Sequence, residues 1–305
     1  MLRYLVSRGL QALLLMAGAL VLVFFLVRLT GDPLALMLPK EADAEQRAAF
    51  RAAMGLDQPL WLQFAQYLRG VLEGDLGHSL RNQRPNLELI LERLPATLEL
   101  ALAAFAFILL VALPLGLLAG LNPGGLLDRL ALGLAFAAQV VPSFWLAMLL
   151  ILWFAVELGW FPSFGRDSPL SLVLPAVALG FSGLGQMLRL VRTAALEARR
   201  ADYLRTARAK GLSPARITWH HLLPNLAIPI VSVASLQLTY LLGGSIYIET
   251  IFAWPGLGSL LNTAIQDADF PLVQAITLFI AFFVILLQLL ADLAYAWLDP
   301  RIQHS

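Results

Sequence analysis

The sequence predicts an all-α integral membrane protein with six transmembrane helices, and three observations predict it. Of the 305 residues, 59% are hydrophobic and only 13% charged, with a mean hydropathy of +0.77; soluble domains run at about 45–50% apolar and about 25% charged. Six charge-free stretches (9–27, 100–120, 130–156, 168–188, 222–248 and 270–291) reach roughly the 20 residues with which a helix crosses a bilayer while satisfying its own backbone. One segment between them concentrates arginine, which sets an orientation. So little charge argues against a soluble enzyme and against a disordered chain. The net charge of +1 carries no nucleic-acid signal, and with no cysteine there is no disulfide, thiolate metal site or cysteine nucleophile.

The first stretch follows Arg3 and Arg8, and Ala42-Asp43-Ala44 resembles a cleavage site. The apolar run is too long and that site too distant for a signal peptide, so an uncleaved helix is expected. Residues 28–99 then form a hydrophilic region with eight basic and ten acidic residues. Within it Pro59–Leu68 reads as an amphipathic helix started at a proline, its aromatic stripe packing against spans or at the interface, or docking an outside partner. The stretch 130–156 is long enough to tilt or to extend beyond the bilayer. Segment 189–221 carries Arg189, Arg192, Arg199, Arg200, Arg205, Arg208, Lys210 and Arg216 against Glu197 and Asp202. Basic loops stay cytoplasmic, so this segment lies inside and, with six spans, so do both termini. Arg3, Arg8, Arg129 and Arg301 then fall on the same side.

Within that segment, residues 199–211 read as a helix closed by Gly211, which takes the left-handed conformation readily. Ser213-Pro214 then starts a second helix as a cap followed by a first-turn proline, running to about Leu223. Tyr203, Ala207 and Gly211 lie four apart, a large anchor followed by two small residues on one side. Two readings fit such a face: close contact with another protein, or an amphipathic helix with its arginines on anionic lipid.

Gly211, nine residues, His221, one residue, then Leu223-Pro224 resembles the signature loop of binding-protein-dependent ABC importer permeases. That loop reads Glu-Ala-Ala, three residues, Gly, nine residues, Ile, one residue, Leu-Pro. Arg205 and Thr206 depart from it at Glu and the first Ala, and His221 at Ile; Ala207, Gly211, Leu223 and Pro224 match. Residues 205–212, with Arg205, Thr206, Ala207 and Arg208, are similar to the form found in the dipeptide/oligopeptide/nickel branch. So are Gly55–Pro59, Leu94–Leu100, Pro142–Trp145, Ile248–Gly258 and Leu298–Arg301, in order along nearly the whole chain. The resemblance implies a type I ABC importer permease fold. Its parts would be an N-terminal segment with the first transmembrane helix (1–28), an extracytoplasmic region (29–95), a five-helix permease core (96–298) with a coupling loop at 189–224, and a cytoplasmic tail (299–305). It further implies a second homologous permease subunit, ATPase subunits that use ATP and Mg, an extracytoplasmic substrate-binding protein and surrounding lipid. The implied coupling residues are Tyr203, Arg205, Thr206, Ala207, Arg208, Gly211, Leu223 and Pro224.

The chain has no phosphate-binding loop of its own and no charged network inside the spans, so it is expected to be non-catalytic, with no cofactor and no metal. Glu99, Glu249 and Asp292 sit at or near span ends, where interfacial exposure is expected. Polar residues within spans share helical faces: Ser232, Ser235, Thr239 and Gly243; Gln139 and Ser143; Ser182 and Gln186. Helix packing or a weakly polar translocation path both explain them. Pro114, Pro142, Pro175 and Pro229 permit bending or simply kinked packing. The aromatic turn Phe252–Gly258 either folds into the membrane interface, the favoured reading for Trp254, or plugs the outside mouth. The expected function is inward movement of di- or oligopeptides; nickel or a metal chelate is the alternative within the family, and a secondary transporter or a membrane-embedded enzyme the alternative outside it.

Overall fold

The computed structural model describes residues 2–30, 43, 45, 48, 52, 57–199, 201–217, 220 and 222–298. Ala42, Ala44, Gly55, His221 and residues 299–305 lie outside the described residues, as do the side chains of Arg205, Arg208, Leu223, Pro224, Ser232 and Asp292. The described secondary structure is helical, apart from one bridge between His78 and Pro85. In chain order the helices are α1 (Leu2–Thr30), α2 (Leu60–Glu73), α3 (Asn86–Leu121), α4 (Leu126–Val140), α5 (Ser143–Leu150, continued as a π-helix over Ile151–Glu157), α6 (Val173–Arg199), α7 (Asp202–Ala209), α8 (Pro214–Ile217), α9 (Leu223–Ile251), α10 (Leu257–Gln266) and α11 (Phe270–Leu298).

Five segments are single helices long and apolar enough to cross a membrane: Ser7–Phe25, Asn86–Leu121, Pro169–Arg199, Pro229–Ile251 and Phe270–Ala291. The third expected span, 130–156, is instead broken: α4 and the α5 segment meet at 107°. The cause is Pro142. A proline has no N–H to bond back and drives the residue before it out of the helical region, and Val141 sits extended at φ −77, ψ 119. The pair nevertheless joins the two ends of the bundle. Asp128 at its start bonds Arg192 near the end of α6, whereas just past its end the Gly165 N–H donates to Phe252 O, directly after α9, at 2.9 Å. The pair is the candidate for a sixth crossing beside the five single helices.

Helices α3 and α6 form the centre of the bundle through small side chains. Ala104, Ile108 and Ala112 of α3 are fully buried, and a Cβ on Gly120 would come within 2.5 Å of Arg192 O. Without a hydrophobic drive between helices in lipid, such close approach supplies the packing. With 36 residues, α3 is about 54 Å long and extends well outside a hydrocarbon core of about 30 Å. On that outer side α2 packs on α1, with Phe24 ringed by Phe64 at 5.1 Å and Tyr67 at 5.7 Å; Trp61 of the same stripe stays exposed.

Candidate functional site: a loop-borne helix and a polar groove

At one end of the bundle α6 continues to Arg199, past the expected end of the fourth span at 188. Arg189 and Arg192 therefore belong to a helix rather than to a loop. Arg192 makes a two-point bond to Asp128, with Nη2 to Oδ2 at 3.0 Å, while the Gly124 N–H also donates to that carboxylate at 2.8 Å. Arg189 donates to Ala135 O at 3.3 Å. Both contacts tie α4 to the end of α6.

Beyond α6, helix α7 is followed by Gly211 at φ +73, with the Leu212 N–H returning to Ala207 O at 3.3 Å. Ser213 then caps α8, its Oγ accepting from the Arg216 N–H at 3.4 Å. This is the expected helix, glycine turn and helix: α8 is α-helical over Pro214–Ile217, and the described residues His220 and Leu222 have π-helical backbone up to the start of α9. The expected contact face needs correction. Ala207 is buried among Ala195, Ile217, Leu222 and Leu226, so its small size lets α7 rest on the ends of α6 and α9. The exposed side of the loop carries Tyr203, Thr206 and Gly211; Thr206 also bonds back to Asp202 O.

Midway along the bundle, α4, α6 and α9 enclose an open groove of about 360 Å³ lined by Gln139, Ser182, Gln186, Gln237 and Tyr240, among others. Gln139, Ser182 and Gln186 were expected path residues. Ser143 was expected to share a face with Gln139, but the bend at Pro142 separates them and Ser143 does not line the groove. On α9 the groove meets a different face from the expected one. Ser235 and Thr239 bond back to their own helix at Val231 O and Ser235 O, and Gly243 lies outside the lining. The α9 residues present are Leu236, Gln237 and Tyr240. Gln237 Nε2 donates to Gln186 Oε1 at 2.9 Å.

The opposite end is closed by a buried latch. Glu249, expected to be exposed, is 0% accessible. It accepts from Thr97 Oγ1 at 2.9 Å and from the Gly258 and Ser259 N–H groups at 2.7 and 3.0 Å, the open donors of the first turn of α10. Thr97 in turn accepts from the Leu257 N–H, and a Cβ on Gly256 would strike both side chains. Trp254 is likewise buried, its Nε1 donating to Ala96 O at 2.8 Å; the turn folds into the protein rather than into the membrane interface. Glu99 pairs with Arg166 at this end.

Residues 112–304 match the family described as "Binding-protein-dependent transport system inner membrane component", and residues 1–101 match its N-terminal counterpart. The chain belongs to this family. It is 39% identical over 100% of both chains to the glutathione transport system permease protein GsiC of Salmonella paratyphi A. It is 37% identical to the dipeptide transport system permease protein DppB of Escherichia coli K12, over 94% of this chain and 95% of that one. Among solved structures, the MetNI methionine ABC transporter in an inward-facing conformation matches 69% of this chain and 96% of that chain, with a TM-score of 0.59 at 22% identity, which shows the shared fold. The permease is thus a multi-pass inner-membrane, non-catalytic subunit of a binding-protein-dependent ABC importer. Membership implies ATPase and binding-protein partners.

The latch joins two of the permease's motifs. Leu94–Leu100 supplies Thr97 and the Ala96 carbonyl; Ile248–Gly258 supplies Glu249 and Trp254. The groove residues that sequence reasoning missed, Gln237 and Tyr240, did carry a signal: an amide in an apolar span is costly.

Proposed function

We propose that the permease moves di- or oligopeptides inward, that the groove between α4, α6 and α9 is its share of the translocation path, and that α7 and α8 receive the motion of the ATPase subunits. One observation carries this reading. Gln139, Gln186 and Tyr240 are exposed within otherwise apolar spans, where lipid contact is unfavourable; water and substrate on that face remove the cost. The neutral lining suits peptides with varied side chains, and the chain's similarity to a glutathione permease and a dipeptide permease points to short peptides as well. A second, homologous permease would supply the other wall. Tyr203, Arg205, Thr206, Ala207, Arg208, Gly211, Leu223 and Pro224 are assigned to coupling, with Ala207 acting through internal packing. Both termini then lie in the cytoplasm, ATP and Mg bind to the partner subunits, and this chain holds no cofactor of its own.

The test is ATP-driven uptake by the purified complex in proteoliposomes. Labelled trialanine should accumulate, and Ser182→Trp, which fills the groove, should reduce uptake by about tenfold or more. Uptake of nickel but not of the peptide, or unaltered peptide uptake by the tryptophan variant, would overturn the reading.

A further inference from the structure

The groove contains a pair of side-chain amides bonded to each other across α6 and α9. Gln237 is 4% exposed yet sits in the lining, held there by its bond to Gln186. Its carbonyl oxygen lies so close to α6 that a Cβ on Gly183 would stand 2.5 Å from it; only glycine leaves room for the amide. Of the two side chains' remaining capacity, Gln237 Oε1 and Gln186 Nε2 make no further bond among the described residues. One is an acceptor and the other a donor. Neither atom is among the described buried polar atoms that lack a partner, so both open onto the groove, where a solute can meet them.

We propose that Gln186 and Gln237 form a specificity-determining clasp that reads the backbone of the passing substrate: Gln237 Oε1 accepts from a substrate amide N–H, and Gln186 Nε2 donates to a substrate carbonyl. This rests on the groove being the translocation path. The clasp is indifferent to side chains and contains no ionisable carboxylate or ammonium, so it selects for the peptide group itself. A bound peptide unit supplies the missing donor and acceptor, so the favourable exchange occurs in the groove and nowhere in the surrounding apolar wall. Gly183 and the mutual bond hold the two amides in place before substrate arrives, and little ordering remains on binding.

Uptake of trialanine is compared with that of trialanine N-methylated at its central peptide nitrogen, which has no N–H there. The wild-type complex, Gln237→Met and Gln186→Met are reconstituted with the same partner permease, ATPase subunits and binding protein. Because one binding protein delivers both probes throughout, its own preference cancels when each variant is divided by wild type. Gln237→Met should lower kcat/KM for trialanine about three- to tenfold, the worth of one hydrogen bond, with far less effect on the methylated probe, so that the preference collapses. Gln186→Met should lower uptake of both probes, which keep their carbonyls. A merely structural pair would lower both probes equally in Gln237→Met, and that result, or no change in either variant, overturns the clasp. Should Gln237→Met fail to assemble, the exposed Gln186→Met decides: reduced uptake supports the clasp and unaltered uptake overturns it. Failure of the wild-type complex to move trialanine overturns the peptide reading and the clasp with it, whereas wild-type uptake without the variant effects overturns the clasp alone.

Discussion

A charged side chain at 0% exposure dominates the residue scale. Among the described residues Glu249 has no cationic partner within hydrogen-bond reach; three described donors hold it, two of them the Gly258 and Ser259 N–H groups that open α10. A carboxylate at a helix N-terminus satisfies groups that have no intrahelical partner and meets the positive end of the helix dipole. Replacing Glu249 by leucine strands those N–H groups in the interior, at about 1–3 kcal/mol for each. Thermal unfolding of the detergent-solubilised protein should show a lowered Tm for Glu249→Leu. Thr250→Ala, one position along and exposed, should stay within about 0.5 kcal/mol of wild type; equal behaviour of the two variants would refute the latch.

At the scale of elements, α7 is a short helix seated on other helices. Its eight residues are too few to be stable alone, so its position depends on the Ala207 contact with Ala195, Leu222 and Leu226. Ala207→Leu overfills that contact, an effect of about 1–3 kcal/mol, and lifts the helix from α6 and α9 while leaving the spans intact. Binding-protein-stimulated ATPase activity of the assembled complex should fall several-fold, with the subunits still co-purifying. Normal stimulation would mean that the seating of α7 does not transmit motion. The helix-turn-helix itself was legible in Gly211 and Ser213-Pro214, because turn chemistry is local. The direction of Ala207 was not, because a spacing of four says which residues share a face but not what that face meets.

Across the whole molecule, the bent α4–α5 pair controls the parity of the topology. If it crosses, a cysteine replacing Asp43 and one replacing Ala209 lie on opposite sides of the membrane; if it only dips in and returns, they lie on the same side. The first variant should react with an impermeant thiol reagent from outside only and the second from the cytoplasmic side only. Native cysteine is absent, so the background is clean. Labelling of both from one side would replace six crossings with five. The bonds from Asp128 to Arg192 and from Gly165 to Phe252 at opposite ends of the bundle favour six.

Hydropathy, loop charge and motif order were enough to establish a helical, multi-span permease and the place of its loop helix, since each depends on a stretch of a few to twenty neighbouring residues. Pro142 was visible too, yet whether it would kink, tilt or break its span depended on what α4 and α5 pack against. The latch and the amide clasp were out of reach for the same reason: Thr97 and Glu249 are 152 positions apart, and Gln186 and Gln237 are 51 apart. Burial turned Glu249 from an expected surface charge into a helix cap, and moved the polar face of α9 from its serines to Gln237. In a bundle of apolar helices nearly every face is compatible with lipid or protein; the choice between them is made by close packing between helices distant in the chain, and no local pattern encodes it.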